Sequence, residues 1–422
     1  MAGVLILLVL IYVAVAPSGP KQPSSTGSSG NTSTSTTTRS ASSSTFPKRS
    51  PLNPDWDGDR TAVTLAFGGD VHFAGVVGER LAQDPSTALG TTFAQLFGSA
   101  QVRMVDLQTA ITAGSCPQYQ AKQFTFYAPP TAFTALKAAG VTVGAQANEH
   151  ALDCGATGLA QGIAAAQSAD FPIVGVGSDA TQAYTPYRIT VGGQRIAIFD
   201  ATQIIASNLV SSWTATATQP GVASAIDPTE LVRAVQHARR SADTIVVYLD
   251  WGTSEVQCPS PPQESLAQQL VEAGADLVVG AGAHVLLGAG YLGSAYVDYG
   301  LGNFAFYDDT APETDSGALL ITVEGRHVIS STFAPATDVG GLPQPLSAAA
   351  ATAAQQAWQG ERSCTDLQAA ASASVASEQT ETVPFTVPTA TTTTTTTASG
   401  GGTTTTTTAP PPTTTQPTDN AG

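Results

Sequence analysis

Apolar runs of strand length alternate with helical segments from Val63 to Phe333, and several of the runs are followed closely by a carboxylate, an amide or a histidine. Apolar runs without polar alternation belong to strands buried on both faces, and helices between such strands dictate an α/β architecture. Five units carry the pattern. Val63–Phe67 leads to Gly68-Gly69-Asp70-Val71-His72, and Val102–Val105 leads to Asp106-Leu107-Gln108. A helix over Thr131–Ala139 precedes a strand at Val141–Ala145, which delivers Asn148, Glu149 and His150. A helix over Pro228–Arg240 precedes Thr244–Leu249 and Asp250; a helical face of Leu266, Leu270 and Ala273 precedes Leu277–Val279 and the loop to His284. Further on, Tyr296–Tyr299, Leu319–Val323 and Val328–Phe333 alternate without intervening helices and predict antiparallel strands. The expected fold is a sandwich of mixed sheets with helices outside.

Composition separates the two ends from this core. Residues 18–55 are dominated by Ser and Thr and residues 371–422 by Thr, Pro and Gly, with too few large apolar side chains to offset the entropy of ordering. Both are expected to be disordered, leaving 56–370 as one folded domain. Residues 1–17 hold an unbroken apolar run, Ala2–Ala16, short for a membrane span and suited to export. Ala14-Val15-Ala16 has the small residues of a cleavage site, but Pro17 follows and no basic residue precedes, so an anchor is favoured over a cleaved signal. Lys21, Arg39, Lys48 and Arg49 lie downstream and oppose that orientation by the positive-inside rule. The expected location is the extracytoplasmic face of the cell membrane, or outside the cell if the segment is cleaved. Four cysteines, Cys116, Cys154, Cys258 and Cys364, predict disulfides in an exported chain; three pairings are open, and none has the CxxC spacing of a zinc knuckle. A net charge of −16 excludes nucleic acid as a partner, because a phosphate backbone needs a basic footprint.

Carboxylate, Asn and His side chains at strand ends are the donors from which a two-metal hydrolytic site is built. Of the five histidines, His72, His150 and His284 follow apolar strands, whereas His237 falls in a helix and His327 in a hairpin turn. Plainer roles compete with the functional ones: His150 and His284 as core histidines, Asp70 as cap of a helix beginning near Val76, and Asn148 as cap of the helix beyond Asp153.

The wording of the blocks carries a resemblance. GGDVHFAG, DLQTAIT, KQFTFYAPP, QANEHALDCG, YLDWGTSEVQCPSPPQESLAQQLVEAGADLVVGAGAHVL and YGLGNFAFY resemble, in order, the CapA-type capsule-synthesis proteins associated with poly-γ-glutamate, over residues 60–335. The resemblance implies a calcineurin-like metallophosphoesterase fold, an α-β-β-α sandwich, and a protein assisting synthesis or export of an anionic envelope polymer. It also implies metal ligands at Asp70, His72, Asp106, Asn148 and His284, with His150 and Asp250 as catalytic candidates. The family pattern reads Asn-Leu-Glu where this chain has Asp106-Leu107-Gln108, Asn-Asn-His at Asn148-Glu149-His150, His-Trp-Gly at Asp250-Trp251-Gly252, and His at Gly282. With both of those histidines replaced, at most one divalent ion (Mn, Mg or Zn) is expected, and a degenerate site acting in polymer binding or assembly. The alternative is an active metal-dependent hydrolase of phosphoesters or polymer amides, with Asp106, Glu149 and Asp250 as replacement carboxylates around a hard ion.

Overall fold

The computed structural model describes residues 61–307 and 310–372. The apolar N-terminal run, its Ser/Thr-rich linker and the Thr/Pro-rich tail beyond residue 372 lie outside the described residues. Among the described residues no helix is long and apolar enough to cross a membrane.

Two mixed sheets pack face to face. The first has the strand order Pro343–Pro345, His327–Asp338, Asp315–Glu324, Val63–Val71, Val102–Leu107, Val143–Ala145, Ile173–Val174, with Asn303–Ala305 pairing beside the end of Val63–Val71. The second runs Ala289–Leu292, Ala295–Asp298, Leu277–Ala281, Thr244–Asp250, Gln194–Thr202, Tyr187–Val191. Side chains alternate across each strand, so Leu65, Phe67 and Met104 point between the sheets to meet Ile198, Val246, Tyr248 and Val279. Their neighbours Ala66 and Val105 point outward against Phe93, Phe133 and Leu136 of the helices. On the far side Phe199, Val247 and Val278 pack under Leu231, Val235, Leu266 and Leu270. Both faces of the central strands are therefore apolar, as the sequence required. Tyr248 spans the interlayer and donates its hydroxyl to the carbonyl of Gly68 at 2.7 Å, fixing the two sheets where their parallel strands end.

The expected α/β sandwich is what the chain forms, with two local corrections. Ala295–Asp298 is antiparallel to Ala289–Leu292 but parallel to Leu277–Ala281, because the chain reverses through the short strand 289–292 instead of a helix. Asp70 and Asn148 cap no helix: Gly75–Gln83 is capped at Ala74 and Gly155–Ser168 at Cys154, neither by a side chain.

The cysteines pair as Cys116–Cys154 and Cys258–Cys364. The second closes 106 residues and holds the C-terminal segment, whose Gln368 exchanges backbone hydrogen bonds with Tyr291 at the edge of the second sheet. Replacing Cys258 and Cys364 by serine is expected to lower stability by about 2–4 kcal/mol, measured as a lower urea midpoint with a steeper slope, because the unlinked denatured chain exposes more surface.

Candidate functional site

The loops that follow the parallel strands of both sheets meet at one edge. Val63–Val71 bulges there: Phe67 pairs with Met104 and Asp70 with Asp106, three steps against two. Gly68-Gly69 permits it, since a Cβ on Gly69 would lie 1.8 Å from the carbonyl oxygen of Gly302. The bulge aims Asp70 across the sandwich. One carboxylate oxygen accepts from the backbone N–H of Gly282 at 3.1 Å, and the other stands 3.0 Å from Nδ1 of His284. His284 also has Nδ1 3.0 Å from Oδ1 of Asn303. Burial alone would depress the His284 pKa, but the hydrogen bond and charge of Asp70, the charge of Glu149 and the Asn303 contact outweigh it and raise the pKa to about 9. His284 therefore neutralises Asp70 as a buried ion pair.

Asp106 and Asp250, both fully buried, are joined by Gln108. Its amide donates to Oδ2 of Asp106 at 2.8 Å and reaches Oδ1 of Asp250 at 3.3 Å. Asn148 donates to the other Asp106 oxygen at 2.7 Å, and the Thr202 hydroxyl donates to the other Asp250 oxygen at 2.6 Å. Burial, then the charges of Asp70 and Asp200, raise the Asp106 pKa well above the ordinary carboxylate range. Burial, then Glu149 and Asp106, do the same at Asp250. An acid whose folded pKa is raised stabilises the fold fully only below its unfolded pKa, and that stability drains away as pH rises through the folded value. Asp250→Asn, which keeps an acceptor for Thr202, is thus expected to raise stability at pH 7 by about 1–3 kcal/mol, with the gain vanishing as pH falls to 4 in paired thermal melts.

His150 is held through a separate set of partners. Its Nδ1 lies 2.6 Å from Oδ2 of Asp153, and Asp153 also accepts from the N–H of Phe126 at 2.6 Å and pairs with Lys122 at 2.7 Å. Lys122 in turn donates to the carbonyl of Glu149 and lies over the Trp213 ring. The Cys116–Cys154 bridge ties the loop bearing Lys122 and Phe126 to the residue after Asp153. Phe126 is wedged between His150 and His72, with centroids 4.4 and 4.9 Å away.

The structure thus brings Asp70, His72, Asp106, Asn148, His150, Asp250 and His284 to one cleft, though not as one ligand set. Among the described residues no three His, Cys, Asp or Glu side chains converge as a metal-binding group. Two features nevertheless suit a cation. His72 is fully buried, with no hydrogen-bond partner for either ring nitrogen among the described residues, and stacks on Phe306 at 4.2 Å. Burial, then the charges of His150 and His284, lower its pKa to about 3, so it is a neutral imidazole with a free lone pair. The carboxylates also outnumber the cations around them. Against a second ion, Gln108 supplies an amide where the family resemblance expects a carboxylate, and residue 282 has no side chain. Sequence reasoning gave no role to Lys122, Asp153, Gln108 as a strap, or Thr202; KQFTFYAPP stood out as a block, but nothing in it says which residue Lys122 would meet.

A family model described as "Bacterial capsule synthesis protein PGA_cap" matches residues 64–308, more than half of the chain. The chain belongs to this family. Every residue of the cleft falls inside the match. The chain is 32% identical over 219 residues to the capsule biosynthesis protein CapA of Bacillus anthracis, covering 51% of this chain and 52% of that one. It is 31% identical over 188 residues to a probable polyglutamine synthesis accessory protein of Mycobacterium tuberculosis, covering 43% and 49%. The chain thus spans about half the length of the curated relatives it matches. A putative 5′-nucleotidase from Staphylococcus aureus superposes with a TM-score of 0.38 at 14% identity, covering 71% of this chain and 58% of that one; a likeness so loose says nothing about chemistry.

Proposed function

We propose that this PGA_cap protein works outside the cytoplasm as an accessory component in the synthesis or export of an anionic, poly-γ-glutamate-like envelope polymer, and that its cleft is a degenerate metal site. Membership of the family and the names of the relatives support the polymer. Two disulfides support an oxidising compartment. The observation that carries the degenerate site is the Gln108 amide held between Asp106 and Asp250. The carboxylates that would have to ligate metal for hydrolysis are already satisfied by Gln108, Asn148 and Thr202. The site would hold at most one divalent ion, through Asp70, His72 and, after loss of its extra proton, His284, and that ion would replace the His284 charge next to the acids.

Loss of a partner around a metal ligand typically lowers affinity or activity by about 10–100-fold, so a site missing ligands themselves is a poor basis for turnover. In the native host, deleting the gene is expected to lower surface polymer, measured as glutamate released by acid hydrolysis. Wild-type and Asp250→Asn forms should restore it equally. Polymer unchanged by the deletion would contradict the accessory role; failure of Asp250→Asn alone, at normal protein level, would point to hydrolysis.

A further inference from the structure

Beside the carboxylate pair a separate cavity of about 400 Å³ opens, and its walls include Glu149, Gln203, Ile204, Leu209, Trp213 and Lys122. Its charges do not balance. Lys122 is committed to Asp153 at 2.7 Å and to the Glu149 carbonyl, and His284 is committed to Asp70. Glu149 feels the charges of His284, Asp106 and Asp250 but accepts no hydrogen bond among the described residues: Oε1 lies 3.8 Å from Nε2 of His150, too far for one, and Oε2 is shielded from solvent with no partner. The side chain stays 20% exposed, and Oε1, which is not among its shielded atoms, is the oxygen a donor cation in the cavity can reach; charge–charge attraction there offsets the unpaired, partly desolvated carboxylate.

The rest of the cavity decides which cation. Ile204, Leu209 and Trp213 give no oxygen donors, so a hard metal ion would find one carboxylate and little else there. An anion would meet Glu149 first and find Lys122 already engaged. A ligand with an ammonium at one end and a short hydrocarbon behind it meets both walls: the charge on Glu149, the stem against Ile204, Leu209 and the Trp213 ring. The Gln203 amide oxygen can accept a second ammonium proton. We propose that this cavity binds a primary ammonium carried on a short aliphatic stem, with Glu149 as its counter-ion. Glu149 is the position where the resembling family reads Asn, so the specificity belongs to this chain's own substitution. The inference stands whether or not the polymer role does.

Calorimetric titration of the full-length protein with n-butylammonium, in the presence of a chelator, tests it directly. Butylammonium is expected to bind, with n-butanol and butyrate at least about tenfold weaker. Glu149→Gln should weaken butylammonium by about tenfold or more, and Leu209→Ala should shrink the advantage of butylammonium over methylammonium. Butyrate or butanol binding as well as the amine would overturn the proposal, as would unchanged affinity in a folded Glu149→Gln protein. If Glu149→Gln fails to fold, the Leu209→Ala comparison decides: an unaltered butyl-to-methyl ratio contradicts a stem lying on that wall.

Discussion

Replacing Gly282 by alanine will destabilise the protein by about 3–4 kcal/mol, and removing the Asp250 carboxylate in the same chain will restore part of that loss. A Cβ at residue 282 would lie 2.1 Å from Oδ1 of Asp250 and 3.0 Å from Cδ1 of Ile204, on a backbone with φ of +89°. Asp250 cannot rotate aside without breaking its hydrogen bonds to Thr202 and Gln108. The steric part of the penalty therefore belongs to the pair, and the backbone part belongs to residue 282 alone. In a double-mutant cycle of Gly282→Ala and Asp250→Ala, urea denaturation should give a coupling of about 1–3 kcal/mol; additive effects would show that Asp250 does not fill that space. Asp250 and Gly282 are thus a matched pair: the carboxylate fills the space a side chain at 282 would need. Restoring histidine at 282 alone should fail to fold properly, and a second ligand cannot be recovered one substitution at a time.

Asp153→Ala is expected to be as damaging, about 3–5 kcal/mol. Asp153 is fully buried and takes the charge of Lys122, the Nδ1 side of His150 and the N–H of Phe126. Its removal strands a largely buried ammonium and an amide donor, and it frees the ring that separates His72 from His150. Lys122→Met together with Asp153→Ala should be less harmful than Asp153→Ala alone, since no unpaired charge remains. Thermal unfolding of the three proteins checks this, and a double variant no better than the single one would assign the loss to Phe126 and His150 instead.

Much of the sandwich was legible because strands buried on both faces leave unbroken apolar runs: Thr244–Asp250 and Leu277–Ala281 are fully buried throughout and lie where the runs lie. The helix expected beyond Asp153 is there as Gly155–Ser168, although no apolar run marks it. Its Gly and Ala residues pack closely, Gly162 lying 2.9 Å by its virtual Cβ from the Ile111 carbonyl, so small size and not apolar periodicity is what the position demands. Strand Gln194–Thr202 was hidden: Gln194, Arg195, Asp200 and Thr202 are buried but paired, Arg195 with Asp243 and Thr202 with Asp250, and sequence does not reveal partners 48 residues away. The cleft residues were legible as chemistry at strand ends. Their partners were not, because Gln108, Asp153 and Lys122 act through contacts between loops.

The most direct test of the degenerate site is to count metal and turnover in the same sample. Purified protein, equilibrated with Mn²⁺ or Zn²⁺ and then desalted, is assayed for metal per chain by elemental analysis and for hydrolysis of a simple phosphodiester. With the acids strapped by Gln108 and no side chain at Gly282, it should retain at most one ion per chain and hydrolyse substrate far below about 1 s⁻¹. Two ions per chain with turnover at or above about 1 s⁻¹, abolished by Asp250→Ala, would contradict the account and assign the cleft to a carboxylate-rich hydrolase.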